Sequence, residues 1–169
     1  HFGIPKERVC VIHNAVKPFD GRGMPVELLN RARTEGNVLI GNVGRLSEQK
    51  GMQYFVEAAE ITAKSHPEAR FIIVGDGEEK ERLQQSAAAK KLQEKVFFLG
   101  YRDDIQNVMS QLDFIVLSSL WEGLPLTPIE AYSVGKTVVA TAVDGTPEIV
   151  RDNIDGFLVE PRNPVQLAE

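Results

Sequence analysis

Residues 38–51 read Val38-Leu39-Ile40-Gly41-Asn42-Val43-Gly44-Arg45-Leu46-Ser47-Glu48-Gln49-Lys50-Gly51. The first six residues are apolar on successive positions, with Asn42 the one polar side chain. A strand buried on one face alternates polar and apolar residues; a strand buried on both faces does not. A glycine-bounded polar turn follows. Beyond Gly51 the residues Phe55, Ala58, Ala59 and Thr62 recur at helical spacing up to Ser65. A doubly buried strand that feeds a helix through a short turn is the repeating unit of a parallel sheet packed between helices.

The same unit recurs along the chain. The other apolar runs are Val9-Cys10-Val11-Ile12, Phe71-Ile72-Ile73-Val74, Val96-Phe97-Phe98-Leu99, Phe114-Ile115-Val116-Leu117, Thr137-Val138-Val139-Ala140 and Phe157-Leu158-Val159. Helical patterns separate them. Residues 77–91 are charged and alanine-rich, and residues 104–111 place Ile105, Val108 and Met109 on one face. Residues 127–134 open on Thr127-Pro128-Ile129-Glu130, and Thr146-Pro147-Glu148 opens a further helix. Threonine caps, an early proline and an early glutamate are start signals. Residues 18–25 carry Pro18, Gly21, Gly23 and Pro25 and read as a loop. The expected fold class is α/β, a parallel sheet of about six strands with helices on both faces. The expected organisation is a single domain over residues 1–169, with no internal repeat.

Composition narrows the chemistry. With 43% hydrophobic and 25% charged residues, the chain has the makeup of an ordinary globular domain. One cysteine, Cys10, excludes a disulfide framework; its place in an apolar run predicts a small buried residue. His1, His13 and His66 are too scattered for a metal cluster, and His13 reads as structural. A formal net charge of −5 argues against a nucleic-acid partner. No apolar run reaches the length of a membrane span. The first residues, His1-Phe2-Gly3-Ile4-Pro5, lack both a methionine and a signal-peptide pattern, and the last read as a helix begun at Asn163-Pro164. Both ends have the look of a piece of a longer protein. The expected location is the cytoplasm, compatible with a peripheral place at the inner face of a membrane.

Three turns carry the polar residues that suggest chemistry. In the first, Gly44, Arg45 and Lys50 put two cations in a strand-to-helix turn, where they can converge on a diphosphate beside a helix N-terminus. Two solvated surface cations are the alternative. The second, Val74-Gly75-Asp76-Gly77-Glu78-Glu79, lacks the third glycine of a dinucleotide fingerprint because position 80 is Lys80. It reads as a tight turn rather than a phosphate loop. The third is Trp121-Glu122-Gly123-Leu124-Pro125-Leu126-Thr127-Pro128-Ile129-Glu130-Ala131. Glu122 in the loop and Glu130 in the following helix are two acceptor-only groups able to hold a polyol, with loop N–H groups beside them. For Glu130 the alternative is a capping box with Thr127, which needs no ligand. Trp121 is open between packing and stacking. Walker, GxSxG, HExxH and DxD patterns are all absent.

At these residues the sequence resembles the retaining GT-B glycosyltransferases of family 4, the group 1 transferases. The likeness is to their C-terminal, nucleotide-sugar-binding domain. Val11-Ile12-His13-Asn14-Ala15-Val16 is similar to the family's VIPNGVD segment, with His for Pro and Ala for Gly. Gly44-Arg45 with Lys50-Gly51 resembles its GRL…KG turn. Val74-Gly75-Asp76-Gly77 and Val96-Phe97-Phe98-Leu99-Gly100 follow in family order. Glu122 and Glu130 match the E-x7-E motif. Asp144-Gly145-Thr146-Pro147-Glu148-Ile149-Val150 resembles GGxPEIV, with Asp for the first Gly.

The resemblance implies a Rossmann-like half of a GT-B enzyme and a donor that is a UDP-, GDP- or ADP-sugar. It implies that Gly44, Arg45 and Lys50 hold the diphosphate and stabilise the leaving group without a metal or other cofactor. Glu122 with Gly123, Leu124, Pro125 and Leu126 would hold the transferred sugar, and Glu130 the ribose. The turn carrying Phe98, Gly100 and Asp103 would border the nucleobase. No general base or nucleophile is assigned. The acceptor, whether glycan, lipid or small molecule, would bind an N-terminal domain outside this chain. A related GT-B epimerase, a nucleotide-binding Rossmann module and a non-catalytic sugar-nucleotide sensor stay open as alternatives.

Overall fold

Strand alternation sorts the apolar residues onto two faces, and helices cover both. The computed structural model describes residues 5–10, 12, 14–34 and 36–169. Among them one parallel sheet has six strands: β1 (Val38–Val43), β2 (Ala69–Val74), β3 (Val96–Gly100), β4 (Phe114–Leu117), β5 (Thr137–Thr141) and β6 (Gly156–Val159). The helices are α1 (Glu27–Ala32), α2 (Met52–Ser65), α3 (Lys80–Ala89), α4 (Ile105–Ser110), α5 (Leu126–Ser133) and α6 (Pro164–Ala168). Leu39, Val43, Ile72, Val74, Ile115, Leu117, Val138 and Ala140 pack with α1, α4 and α5. Their strand neighbours Ile40, Phe71, Ile73 and Val116 pack with α2 and α3 on the other face. Helices cover both faces, which is why the strands read as unbroken apolar runs.

Packing, rather than capping, holds the helices. No side chain caps the N-terminus of α1 through α5; only α6 has such a bond, from the Gln166 N–H to the Asn163 carboxamide at 3.1 Å. A cap contributes about 1 kcal/mol, whereas each fully buried Leu, Ile or Phe contributes about 1.5–3 kcal/mol. Met52, Phe55, Val56, Ala58 and Ala59 of α2 are all buried.

The strand order is β3-β2-β1-β4-β5-β6. Ile40 of β1 pairs with Phe71 of β2 on one side and Phe114 of β4 on the other. The α/β fold with a doubly covered parallel sheet is as expected, and six of the seven apolar runs are its strands.

Three local expectations are corrected. The described residues of the run at 9–12 are not in a strand: Val9 and Ile12 are 57% and 87% exposed, and Cys10 is exposed rather than buried. An apolar run becomes a strand only by pairing, and Val9, Cys10 and Ile12 lie outside the six strands of the sheet. Val11 and His13, with the structural reading of His13, lie outside the described residues. The helix expected at Thr146 is a single 3-10 turn, Thr146–Glu148. Val150 is then fully buried, and the chain reverses at Asn153 (φ +57°) into β6, leaving no length for further turns. Conversely, α1 was not anticipated. Its signal is one helical repeat, Val26, Leu29 and Ala32, all buried.

Candidate functional site

β1 is the switch point of the sheet. The chain leaves it through α2 toward β2 on one side, while β4 lies on the other, so the turns after β1 and β4 flank the switch point at the carboxyl ends of the strands, where open α/β sheets bind their ligands. Lys50 comes from the first turn and Glu122 from the second. They meet there: Lys50 Nζ lies 2.5 Å from Glu122 Oε1, with the side chains 18% and 6% exposed. The Ser119 hydroxyl donates to the same oxygen at 2.6 Å. Glu122 Oε2 has no hydrogen-bond partner among the described residues.

Both turns are fastened before any ligand arrives. The Leu120 N–H donates to the Gln49 carbonyl at 2.8 Å, and the Gln49 carboxamide donates to the Trp121 carbonyl at 3.0 Å. Asn42, buried in β1, donates to the Ser118 hydroxyl, which donates to the Lys50 carbonyl at 3.0 Å. The Asn14 carboxamide donates to the Leu124 carbonyl at 3.0 Å. Gly51, at φ +56°, lets the two turns approach: a Cβ there would stand 2.2 Å from the Ser118 carbonyl oxygen. The Thr141 hydroxyl donates to the Ser119 carbonyl at 2.6 Å in a fully buried setting. Thr141→Val keeps the shape and strands that carbonyl. An urea titration should show a loss of about 1–2 kcal/mol.

The turn after β2 braces the turn after β1. Gly75 has φ +138°, and a Cβ there would lie 1.9 Å from the Gly44 carbonyl oxygen; at Gly77 one would lie 2.3 Å from that of Leu46. These glycines serve a close backbone approach, the tight-turn reading. The Gly44 N–H is taken by the Val74 carbonyl at 3.0 Å. The expected convergence of Arg45 and Lys50 is not present. The Arg45 guanidinium turns outward to Glu78 at 3.3 Å, both side chains exposed, while Lys50 turns inward to Glu122. The nearest carboxylate decides each orientation, and turn spacing does not reveal it.

Glu130 is not a capping residue. α5 starts at Leu126 behind Pro125, so Thr127 sits inside the first turn, and no side chain caps the helix. The Glu130 carboxylate is partly buried, makes no hydrogen bond among the described residues, and burial pushes its pKa up. The Gly123, Leu124 and Leu126 N–H groups have no acceptor among the described residues, whereas the Glu122 N–H is occupied by Asp144. Trp121 is 47% exposed, so it is not a buried anchor.

Phe98, half-buried, and Gly100 lie in β3; the Gly100 carbonyl accepts from the Gly75 N–H at 2.8 Å, and Asp103 is exposed in the turn beyond. Arg102 forks onto Asp104 there at 2.6 and 2.7 Å, holding that carboxyl below its usual range. From β3 to β4 is three strand spacings, about 14 Å, the reach of an extended nucleoside diphosphate. No group of three or more His, Cys, Asp or Glu among the described residues is placed to hold a metal ion. Sequence reasoning missed Ser119, Thr141 and Asp144. Thr141 and Asp144 bond backbone groups 22 residues away, which no spacing encodes, and a serine three residues before a loop glutamate carries no distinctive pattern.

The family model for glycosyl transferases group 1 matches residues 30–169. The chain belongs to that family. A curated group 1 relative, the UDP-Gal:alpha-D-GlcNAc-diphosphoundecaprenol alpha-1,3-galactosyltransferase of Escherichia coli, is 40% identical over 121 residues, 70% of this chain and 31% of the relative. The chain thus spans less than half the length of such relatives. Among solved structures, Anabaena Alr3699/HepE in complex with UDP superposes with a TM-score of 0.76 at 31% identity, over 84% of this chain and 40% of that one. The C-terminal domain of the group 1 protein LpcC from Francisella tularensis superposes with a TM-score of 0.75 at 30% identity, over 89% and 80%. The sheet is therefore a Rossmann-like domain of a GT-B glycosyltransferase.

Proposed function

We propose that this chain is the donor-binding domain of a retaining glycosyltransferase and that its donor is a UDP-sugar. The observation that carries the reading is the meeting of Lys50 and buried Glu122 at the switch point. It puts a cation and an acceptor-only carboxylate side by side, as a diphosphate joined to a sugar requires. The UDP seen in Anabaena HepE and the UDP-galactose in the name of the E. coli relative support uracil over other bases.

In this reading the uracil lies by Phe98, Gly100 and Asp103, the ribose hydroxyls donate to Glu130, and the sugar hydroxyls donate to Glu122 Oε2. The free N–H groups of Gly123, Leu124 and Leu126 face the diphosphate and sugar, at the positively polarised end of α5. In the reaction the bond from the anomeric carbon to the diphosphate oxygen breaks, the sugar passes to an acceptor hydroxyl, and UDP leaves. Lys50 stabilises the charge that grows on the leaving oxygen. Arg45 joins it by releasing Glu78; exposed pairs of that kind contribute little. These two cations do the work a metal does elsewhere. The acceptor and any general base belong to a domain beyond this chain, with the whole enzyme in the cytoplasm.

A thermal-shift series with UDP, GDP, ADP and NAD tests the reading. UDP should raise the melting temperature most. The isolated chain should bind UDP and yet transfer no sugar to simple acceptors, because positioning of the acceptor supplies about 7–11 kcal/mol of the barrier. Stabilisation by NAD alone overturns the proposal in favour of a dinucleotide module.

A further inference from the structure

Asp144 is an L-residue at φ +42°, in the left-handed region that glycine adopts without cost. It lies in the loop after β5, exposed, next to Gly145. Its carboxylate accepts the Glu122 N–H through Oδ2 at 2.8 Å. One residue on, the Gly145 N–H donates to the Gly123 carbonyl at 3.1 Å. A Cβ at position 145 would come within 2.2 Å of that carbonyl oxygen, so the second contact needs glycine. The two bonds clamp residues 122–123 to residues 144–145 along a loop whose far side is tied to Gln49, Lys50 and Thr141. A charge-assisted bond to a backbone N–H is among the stronger single contacts available to a loop.

We propose that Asp144 is a positioning residue for the donor sugar. It acts through Glu122: with that residue's N–H held, the backbone cannot rotate, and the carboxylate stays aimed with Oε1 on Lys50 and Ser119 and Oε2 toward the ligand. Asp144 also removes the Glu122 N–H from the donors the loop offers, so that the polarised end of the loop begins at Gly123. The left-handed backbone is the strain that this placement carries. Aspartate is one of the few side chains that tolerate that region while reaching a neighbouring N–H. The inference rests on the donor-binding reading for its functional part, whereas the clamp itself is independent of any ligand.

Two measurements separate the parts. The first is amide hydrogen exchange of the ligand-free chain. In Asp144→Gly the Glu122 amide should exchange at least tenfold faster than in the unmodified chain, while β1 and β4 amides keep their rates. In Asp144→Asn, which retains an acceptor oxygen, protection should be largely restored. The second is calorimetry with UDP and UDP-glucose. Asp144→Gly should bind UDP within twofold of the unmodified chain but lose about three- to tenfold in UDP-glucose affinity, without a lower melting temperature, since glycine relieves the backbone. Asp144→Asn should recover most of that affinity. A merely structural role predicts instead a lower melting temperature and equal losses for both ligands, and that result overturns the proposal. So does an unchanged Glu122 exchange rate in Asp144→Gly. Failure of the unmodified chain to bind UDP, with the exchange result as expected, overturns the donor-binding reading and with it the functional half of the proposal, and leaves the clamp standing.

Discussion

Lys50→Ala is expected to lower the stability of the chain by about 3 kcal/mol, a large share of a typical domain's total. The reason is the partner left behind. The Glu122 side chain is 6% exposed, and among the described residues Lys50 supplies the only opposite charge bonded to it. Breaking a buried pair from one side strands a charge out of water, at about 3–5 kcal/mol. The Ser119 hydroxyl stays on the same carboxylate oxygen and keeps the loss near the lower end. Denaturant unfolding measures it. The double variant Lys50→Ala with Glu122→Gln removes the stranded charge and should regain most of the stability. It should not regain ligand affinity. A lysine contact to a diphosphate contributes about 1.5–3 kcal/mol, so both variants should bind UDP more than about tenfold weaker, with uridine little changed. Arg45→Ala, whose side chain is 73% exposed, should cost no measurable stability while still weakening UDP more than uridine. Equal losses for UDP and uridine in Lys50→Ala would remove Lys50 from the diphosphate site.

The second large effect is at Glu130, and it separates stability from binding. Burial raises the Glu130 pKa and nothing among the described residues compensates it. The folded chain therefore holds that proton more tightly than the unfolded chain does. Stability from this group is present at low pH, declines as pH rises through the interval from the ordinary carboxylate pKa to the raised folded one, and is absent at neutral pH. Glu130→Gln removes the ionised form. At pH 7 the ligand-free variant should be as stable as the unmodified chain or more so, and the difference should vanish in acid. UDP binding should move the other way. An amide oxygen accepts more weakly than a carboxylate, and the amide NH2 cannot accept. The expected loss is about tenfold, and it should be smaller for 2′-deoxyuridine diphosphate, which has one hydroxyl fewer to donate. A loss of stability without a loss of UDP affinity would return Glu130 to a structural role.

The two predictions share an origin. A ligand-free site that keeps one carboxylate buried against a lysine and another half-buried with no partner among the described residues stores unfavourable electrostatics, which in the proposed reading hydroxyls and a diphosphate relieve on binding. The fastened loop is the complement. Because Gln49, Asn42, Thr141 and Asn14 already hold residues 118–124, little ordering remains to be done when the donor arrives.

Much of this was legible in the residues. Strands buried on both faces must be apolar at consecutive positions, so the runs at 38–43, 71–74 and 114–117 predict their own burial and the helices that cover them. Turns after such strands must collect the polar groups, so Lys50, Glu122 and Glu130 stand out in sequence before any coordinates are known. Long-range geometry is a different matter. The run at 9–12 has a strand's composition, yet Val9, Cys10 and Ile12 lie outside the six strands. Thr127 and Glu130 have a capping box's spacing, yet α5 begins two residues earlier than that box requires, at Leu126 behind Pro125. Arg45 and Lys50 share a turn and face opposite ways, because each follows the carboxylate that the fold brings nearest. Thr141 and Asp144 act through bonds to residues that only the sheet order makes neighbours. Local pattern determines what each segment can become, since propensity and burial period are properties of a few consecutive residues. Which side chains meet is decided by the crossover connections and the strand order β3-β2-β1-β4-β5-β6, which place residue 50 against residue 122 and residue 122 against residue 144 across distances that no window of sequence spans.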